Sequence, residues 1–213
     1  MRLIWPEDLT AEDHSAAVGK LRTYFVMDPG SSPYTGASFD RLFGGGDRGE
    51  VRDVLTAEDL VAVTTLSVEV PASAALRILG VDGRRISDLL RLIPTSLDLV
   101  DVEAHPINKS WPAWQLWDLL HDMSGIGPVI AGKLVARKRP RLIPVYDSVV
   151  AERVGHPEHF WAALNEDLRA DDGALHRRLV DIRRQSAIGE DISALRIFDI
   201  VTWMPGRGGI PGT

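Results

Sequence analysis

The feature that most constrains this chain is the turn Met-Ser-Gly-Ile-Gly-Pro at residues 123–128, with helical periodicity on both sides. Upstream, Ala113, Leu116, Trp117, Leu120 and Met123 recur at helical spacing and form one buried face. Downstream, Pro128 suits the first turn of a new helix. Gly125 and Gly127 permit positive φ and a close backbone approach, and Ile126 between them reads as an apolar plug joining the two helices. The result is a tight helical hairpin whose turn presents N–H groups at a helix N-terminus, a ready anion site. Lys133 and Arg137 are four apart and share one face of the second helix. Two readings follow. One is an ordinary αα-hairpin with a solvated basic face; the other is a phosphate site with amides at the turn and cations along the helix.

Pro140 ends that helix, Leu142-Ile143-Pro144-Val145 is extended, and Asp147-Ser148 precedes the apolar Val149, Val150 and Val154. Asp147 therefore stands where a helix starts. As an N-cap it stabilises that helix by roughly 0.5–2 kcal/mol. It can also point its carboxylate into a cleft facing the hairpin, and the two roles are compatible.

With Gly125-Ile126-Gly127, Ala131 and Asp147 together, 22 residues separating the first glycine from the acid, the chain resembles the helix-hairpin-helix DNA glycosylases of the endonuclease III and adenine glycosylase type. Residues 60–67, Leu-Val-Ala-Val-Thr-Thr-Leu-Ser, are similar to the apolar helix that precedes the hairpin there. The resemblance implies a mainly α, glycosylase-like fold and DNA as partner. It also implies phosphate binding at Gly125, Ile126 and Gly127, helped by Lys133, Arg137, Lys138 and Arg139, with Asp147 as the catalytic carboxylate. Bifunctional members carry a lysine nucleophile two residues after the second glycine, where this chain has Val129, so no lyase activity is expected. Met123-Ser124 replaces the usual Leu-Pro, and Val68-Glu69-Val70 follows Ser67 where some members have a polar duplex-probing residue. The chain is also similar to an uncharacterised family of actinobacterial proteins, which brings no function with it.

Charge sharpens the question. Lys133, Arg137, Lys138, Arg139 and Arg141 form a run of five cations without an acid, while the other 19 cations face all 30 acids. The net charge of −6 argues against a nucleic-acid partner, and that run is the one strongly basic patch. Without cysteine there is no disulfide, thiolate-held iron–sulfur cluster or cysteine zinc site. No apolar run reaches the roughly 20 residues of a membrane span. The opening Met-Arg-Leu-Ile-Trp-Pro-Glu-Asp lacks the apolar core of a signal peptide. A cytoplasmic protein without cofactor is expected.

At 213 residues a single domain, 1–213, is expected, with a lobe built from the N-terminal segment and the last helices. Helix signals start at Thr56, whose Ala-Glu-Asp sequel marks an N-cap, and Pro71 ends that helix. Further helices are expected at 72–79, 86–92, 113–123, 148–154, 158–168, 174–185 and 192–204, the last apolar nearly all round. The hairpin and the acid occupy 113–154. The Gly-, Ser- and Pro-rich stretch 27–49 reads as a flexible loop, in which Tyr34-Thr35-Gly36 could line a pocket or form a plain turn. His156 and His159 are three apart, but Pro157 lies between them and no further ligands are near, so no metal is expected. Trp117 belongs to the core stripe, whereas Trp114 could stack on a base. Arg177-Arg178 and Arg183-Arg184 read as a solvated helix face. The expected function is DNA binding with monofunctional N-glycosylase activity. The alternatives are a non-catalytic helix-hairpin-helix module binding DNA or a protein partner, and the same cleft turned to a small molecule.

Overall fold

The computed structural model describes residues 2–25, 32–103 and 107–204. Residues 27–31 of the expected flexible loop lie outside them. The described residues are mainly helical and contain no strand. The chain forms two compact units. Unit 1 takes Met1–Tyr34 and Tyr146–Thr213, and unit 2 takes Thr35–Val145.

In unit 1, α1 (Glu7–Thr10), α2 (Ser15–Tyr24), α8 (Ser148–Arg153) and α9 (Phe160–Ser186) all pack on α10 (Ala194–Trp203). Residues 194–202 are buried without interruption, as the all-round apolar sequence requires. Its two internal charges pair with each other, Arg196 Nη1 to Asp199 Oδ1 at 2.8 Å, and Arg196 also donates to the Tyr24 hydroxyl at 2.9 Å. Two cations close its C-terminal end. Lys20 Nζ donates to the carbonyls of Val201 and Met204 at 3.3 and 3.0 Å, and Arg153 donates to those of Thr202 and Met204 at 2.6 and 2.7 Å. These bonds satisfy carbonyls that have no helical partner and oppose the negative end of the helix dipole. α9 breaks at Ala170–Gly173, where Asp171, Asp172 and Gly173 have positive φ. The two helical stretches expected from the sequence are the halves of this broken helix. Arg178 and Arg183, read as solvated, donate to backbone carbonyls of Thr10 and Ile192, each at 2.9 Å.

In unit 2, α3 (Ala57–Thr64), α4 (Ala72–Leu76), α5 (Gly83–Arg91), α6 (Pro112–His121) and α7 (Pro128–Lys138) build the core. α7 packs against α6 and α3, and α5 packs against α6. The apolar faces are sealed: Ala62, Val63, Ile86, Leu90, Leu116, Leu120, Leu134 and Val135 have no measurable exposure. Each buried Leu, Ile or Val contributes about 1.5–3 kcal/mol. Between α4 and α5 the chain widens into a π-helical turn, Arg77–Val81.

Candidate functional site

The expected hairpin is present as α6, a turn and α7. Gly125 is exposed and sits at φ +80°, and a Cβ there would lie 2.6 Å from Pro71 Cγ, so both backbone angle and space require glycine. Gly127 differs. Its φ is −81°, it is the N-cap of α7, and a Cβ there would meet nothing within 4 Å. Ile126 is the plug, 3% exposed, and its N–H donates to Met123 O at 2.9 Å. That amide closes the turn and is therefore already engaged.

Aromatic groups border the turn. Trp117 donates through Nε1 to the carbonyl of Pro128 at 3.2 Å, stacks on His121 at 4.8 Å between centroids, and lies 6.0 Å from Trp114. Trp117 is half-buried, not sealed in the core stripe as its spacing suggests, because its indole N–H turns to the hairpin for an acceptor. Trp114, Trp117 and His121 thus form a partly exposed ladder along α6.

The solvated cationic face expected on α7 is absent. Lys133, Arg137, Lys138 and Arg139 are 3%, 2%, 0% and 1% exposed. Lys133 Nζ donates to Leu66 O, just past the end of α3, at 2.8 Å. Arg137 donates to the carbonyls of Phe39, Asp40 and Leu42 and to Asp59 Oδ1 at 3.2 Å. Lys138 donates to Val51 O at 2.7 Å and Asp59 Oδ2 at 3.1 Å. Arg139 donates to the carbonyls of Leu90, Ile93 and Arg52 and to Asp53 Oδ1 at 2.7 Å. Burial pushes the Lys138 ammonium below its ordinary value against the pull of Asp59, and lowers Arg139 in the same way against Asp53. Arg141, the fifth cation of the run, is exposed and pairs with Asp98.

These cations serve the fold. Arg137, Lys138 and Arg139 hold carbonyls of residues 39–52, which overlap the stretch 27–49 read as a flexible loop, against the end of α7. The triple glycine serves the same contact. A Cβ on Gly46 would sit 2.3 Å from the carbonyl oxygen of Arg137, so only glycine lets the loop backbone lie against the helix. Asp59 is the hub. It is 1% exposed, and its carboxylate accepts from Thr56 N and Oγ1 at 2.9 and 3.1 Å as well as from Arg137 and Lys138. The N-cap at Thr56 is thus fused to the charge network.

Asp147 belongs to unit 1, two residues after the chain leaves unit 2 at Val145. It is half-buried and is the N-cap of α8, its Oδ1 accepting from the N–H groups of Val149 and Val150 at 3.1 and 3.0 Å. Its Oδ2 makes no hydrogen bond to a described residue. Beside it Tyr146 stacks on Phe160 at 3.9 Å, and burial pushes its phenol above the ordinary value. The described residues hold no cluster of three or more His, Cys, Asp or Glu that could bind a metal ion, and no helix long and apolar enough to cross a membrane.

The profile of a family of unknown function, DUF6308, matches residues 17–206. The chain belongs to that family. No curated protein and no solved structure matches it. In this DUF6308 chain the residues that sequence reasoning missed are Asp59 and Asp53, the partners of the buried cations. One signal pointed to them: an acid-free cationic run in a chain of net charge −6 has an excess of counter-charges to draw on, and Asp53, Glu58 and Asp59 stand together before and within a helix whose apolar stripe must face another helix.

Proposed function

We propose that the chain binds duplex DNA through the turn at Gly125, Ile126 and Gly127 and cleaves the N-glycosidic bond of a flipped nucleotide with Asp147 as the catalytic carboxylate. The observation that supports this most is the state of Asp147. One oxygen is fixed by two amides of α8, and the other, without a partner among the described residues, is available to a ligand. A carboxylate so held offsets the positive charge that develops on the sugar as the bond breaks and its electron pair leaves with the base nitrogen. Water then adds at the sugar carbon, its proton passes to solvent, and the free base and an abasic site result. Val129 offers no amine for an imine, so the strand stays intact. The ladder of Trp114, Trp117 and His121 beside the hairpin supplies faces on which bases can stack.

A second reading has its own support. Burial of Lys133, Arg137, Lys138 and Arg139 removes four charges from the phosphate-binding surface, and this favours a non-catalytic module that binds DNA weakly or binds a protein partner. Base release from a panel of damaged and mismatched duplexes separates the two. Asn caps helices about as well as Asp, so Asp147→Asn keeps α8 while removing the charge. Release by the wild type that is lost in Asp147→Asn supports the enzyme. Duplex binding with no release from any substrate supports the module.

A further inference from the structure

Unit 2 carries a groove of about 440 Å³, apart from the hairpin in sequence, where the π-helical turn meets α5. That volume lies within the roughly 300–1,000 Å³ of small-ligand sites. One wall is apolar, made by Val54, Leu55, Ile78 and Leu79. Its surroundings in the chain are unusually greasy for exposed surface: Leu76 and Val81, which flank the π-turn, are 75% and 89% exposed. The other wall is polar and belongs to α5, with Arg84 and Ser87 beside the mutually paired Asp88 and Arg91, which leaves one net positive charge.

Three observations distinguish this groove from a plain apolar dent. Ser87 is 7% exposed, yet its hydroxyl makes no hydrogen bond to a described residue. That hydroxyl is not one of the sealed side-chain oxygens, so it is open to whatever fills the groove. Arg84 is exposed and pairs with no described residue, unlike its neighbours Arg77, tied to Asp82 at 2.7 Å, and Arg91, tied to Asp88 at 2.7 Å. Asp82, the residue before α5, has its carboxylate engaged by Arg77 and gives the helix no side-chain cap. The start of α5 thus has no side-chain cap, and near it lie an unpaired guanidinium and a hydroxyl open to the groove.

From this we infer that the groove is a binding site for an amphiphilic anion, a carboxylate or phosphate carrying an alkyl chain. Its head lies against Arg84 and Ser87, and its tail runs along Val54, Ile78 and Leu79. A charged head alone would leave the apolar wall wet, and a neutral tail alone would leave the guanidinium unanswered. The site stands whether or not the chain acts on DNA.

The test is titration of the full chain with decanoate and decyl phosphate below their micelle concentrations, followed by calorimetry and by amide NMR shifts at residues 78–88. Inorganic phosphate, decyltrimethylammonium, and phosphatidylcholine vesicles with and without phosphatidylglycerol serve as comparison arms. Saturable binding of the decyl anions is expected, weakened about tenfold or more by Arg84→Gln and several-fold by Ser87→Ala, with thermal stability unchanged because Arg84 is exposed and unpaired. Leu79→Ser is expected to weaken both anions alike. Binding confined to phosphatidylglycerol vesicles would reassign the groove to a membrane surface and overturn the proposal. Equal binding of decyltrimethylammonium, undiminished affinity in Arg84→Gln, or no saturable binding would also overturn it.

Discussion

Replacing Asp59 by Asn tests whether the cations of α7 are structural. The change removes a buried charge that accepts four hydrogen bonds and turns an NH₂ group toward donors. Breaking a buried ion pair by removing one partner costs about 3–5 kcal/mol. Arg137 and Lys138 keep their carbonyl acceptors at residues 39–42 and 51, which places the loss toward the lower end of that range. Loss of the link to Thr56 adds about 1 kcal/mol at the start of α3. The sum, about 4 kcal/mol, is a large share of the 5–15 kcal/mol by which domains are stable. At about 2–4 °C per kcal/mol, the melting temperature falls by roughly 8–16 °C. Lys138 can shed its proton but Arg137 cannot, so adding Lys138→Met to Asp59→Asn recovers part of the loss, about 1 kcal/mol or more. Urea unfolding followed by tryptophan fluorescence gives the energies, and hydrogen exchange shows whether protection is lost in α7 and residues 39–53. A cost below about 1 kcal/mol, the value of an exposed acid, would refute the assignment of a buried hub.

Other outcomes follow from the same geometry. Gly46→Ala should destabilise by about 1–3 kcal/mol, because the loop must lift off the Arg137 carbonyl; Gly127→Ala should change stability by less than about 0.5 kcal/mol; paired thermal melts check both. Gly125→Ala should behave like Gly46→Ala, since positive φ and the Pro71 contact both oppose a side chain. With its native proton affinity depressed, Lys138 binds a proton more tightly in the unfolded chain. Its contribution to stability therefore rises with pH between the depressed native value and 10.5. Subtracting the stability–pH curve of Lys138→Met from that of the wild type should expose this rise, and a difference flat across that window would contradict it. Asp147→Ala, unlike Asp147→Asn, should lower stability by about 0.5–2 kcal/mol through the lost cap, as read by denaturant unfolding.

Much of the helical order is legible because it rests on local chemistry. The stripe of α6, the proline start of α7, the cap at Asp147 and the all-apolar α10 each follow from neighbours in sequence. α2 escapes that reading because its buried face is Ala17, Val18, Leu21 and Tyr24, with Gly19 among them, a pattern too poor in large apolar residues to stand out. The site was legible in outline only. Spacing puts Lys133 and Arg137 on one face, but it cannot say whether that face meets water or Asp59, which is more than 70 residues away. The same limit hid the loop at 39–52, whose glycines signal a close approach to α7 as much as they signal freedom.

The salt dependence of duplex affinity measures the central claim directly. With the cations of residues 133–139 committed to internal carbonyls and to Asp53 and Asp59, a duplex bound as proposed would meet few charges at the hairpin. The slope of log affinity against log salt should then be shallow, corresponding to about one or two neutralised phosphates, and Lys133→Ala and Arg137→Ala should lower stability while leaving that slope unchanged. A slope corresponding to four or more phosphates, reduced by about one in each of those variants, would contradict the account.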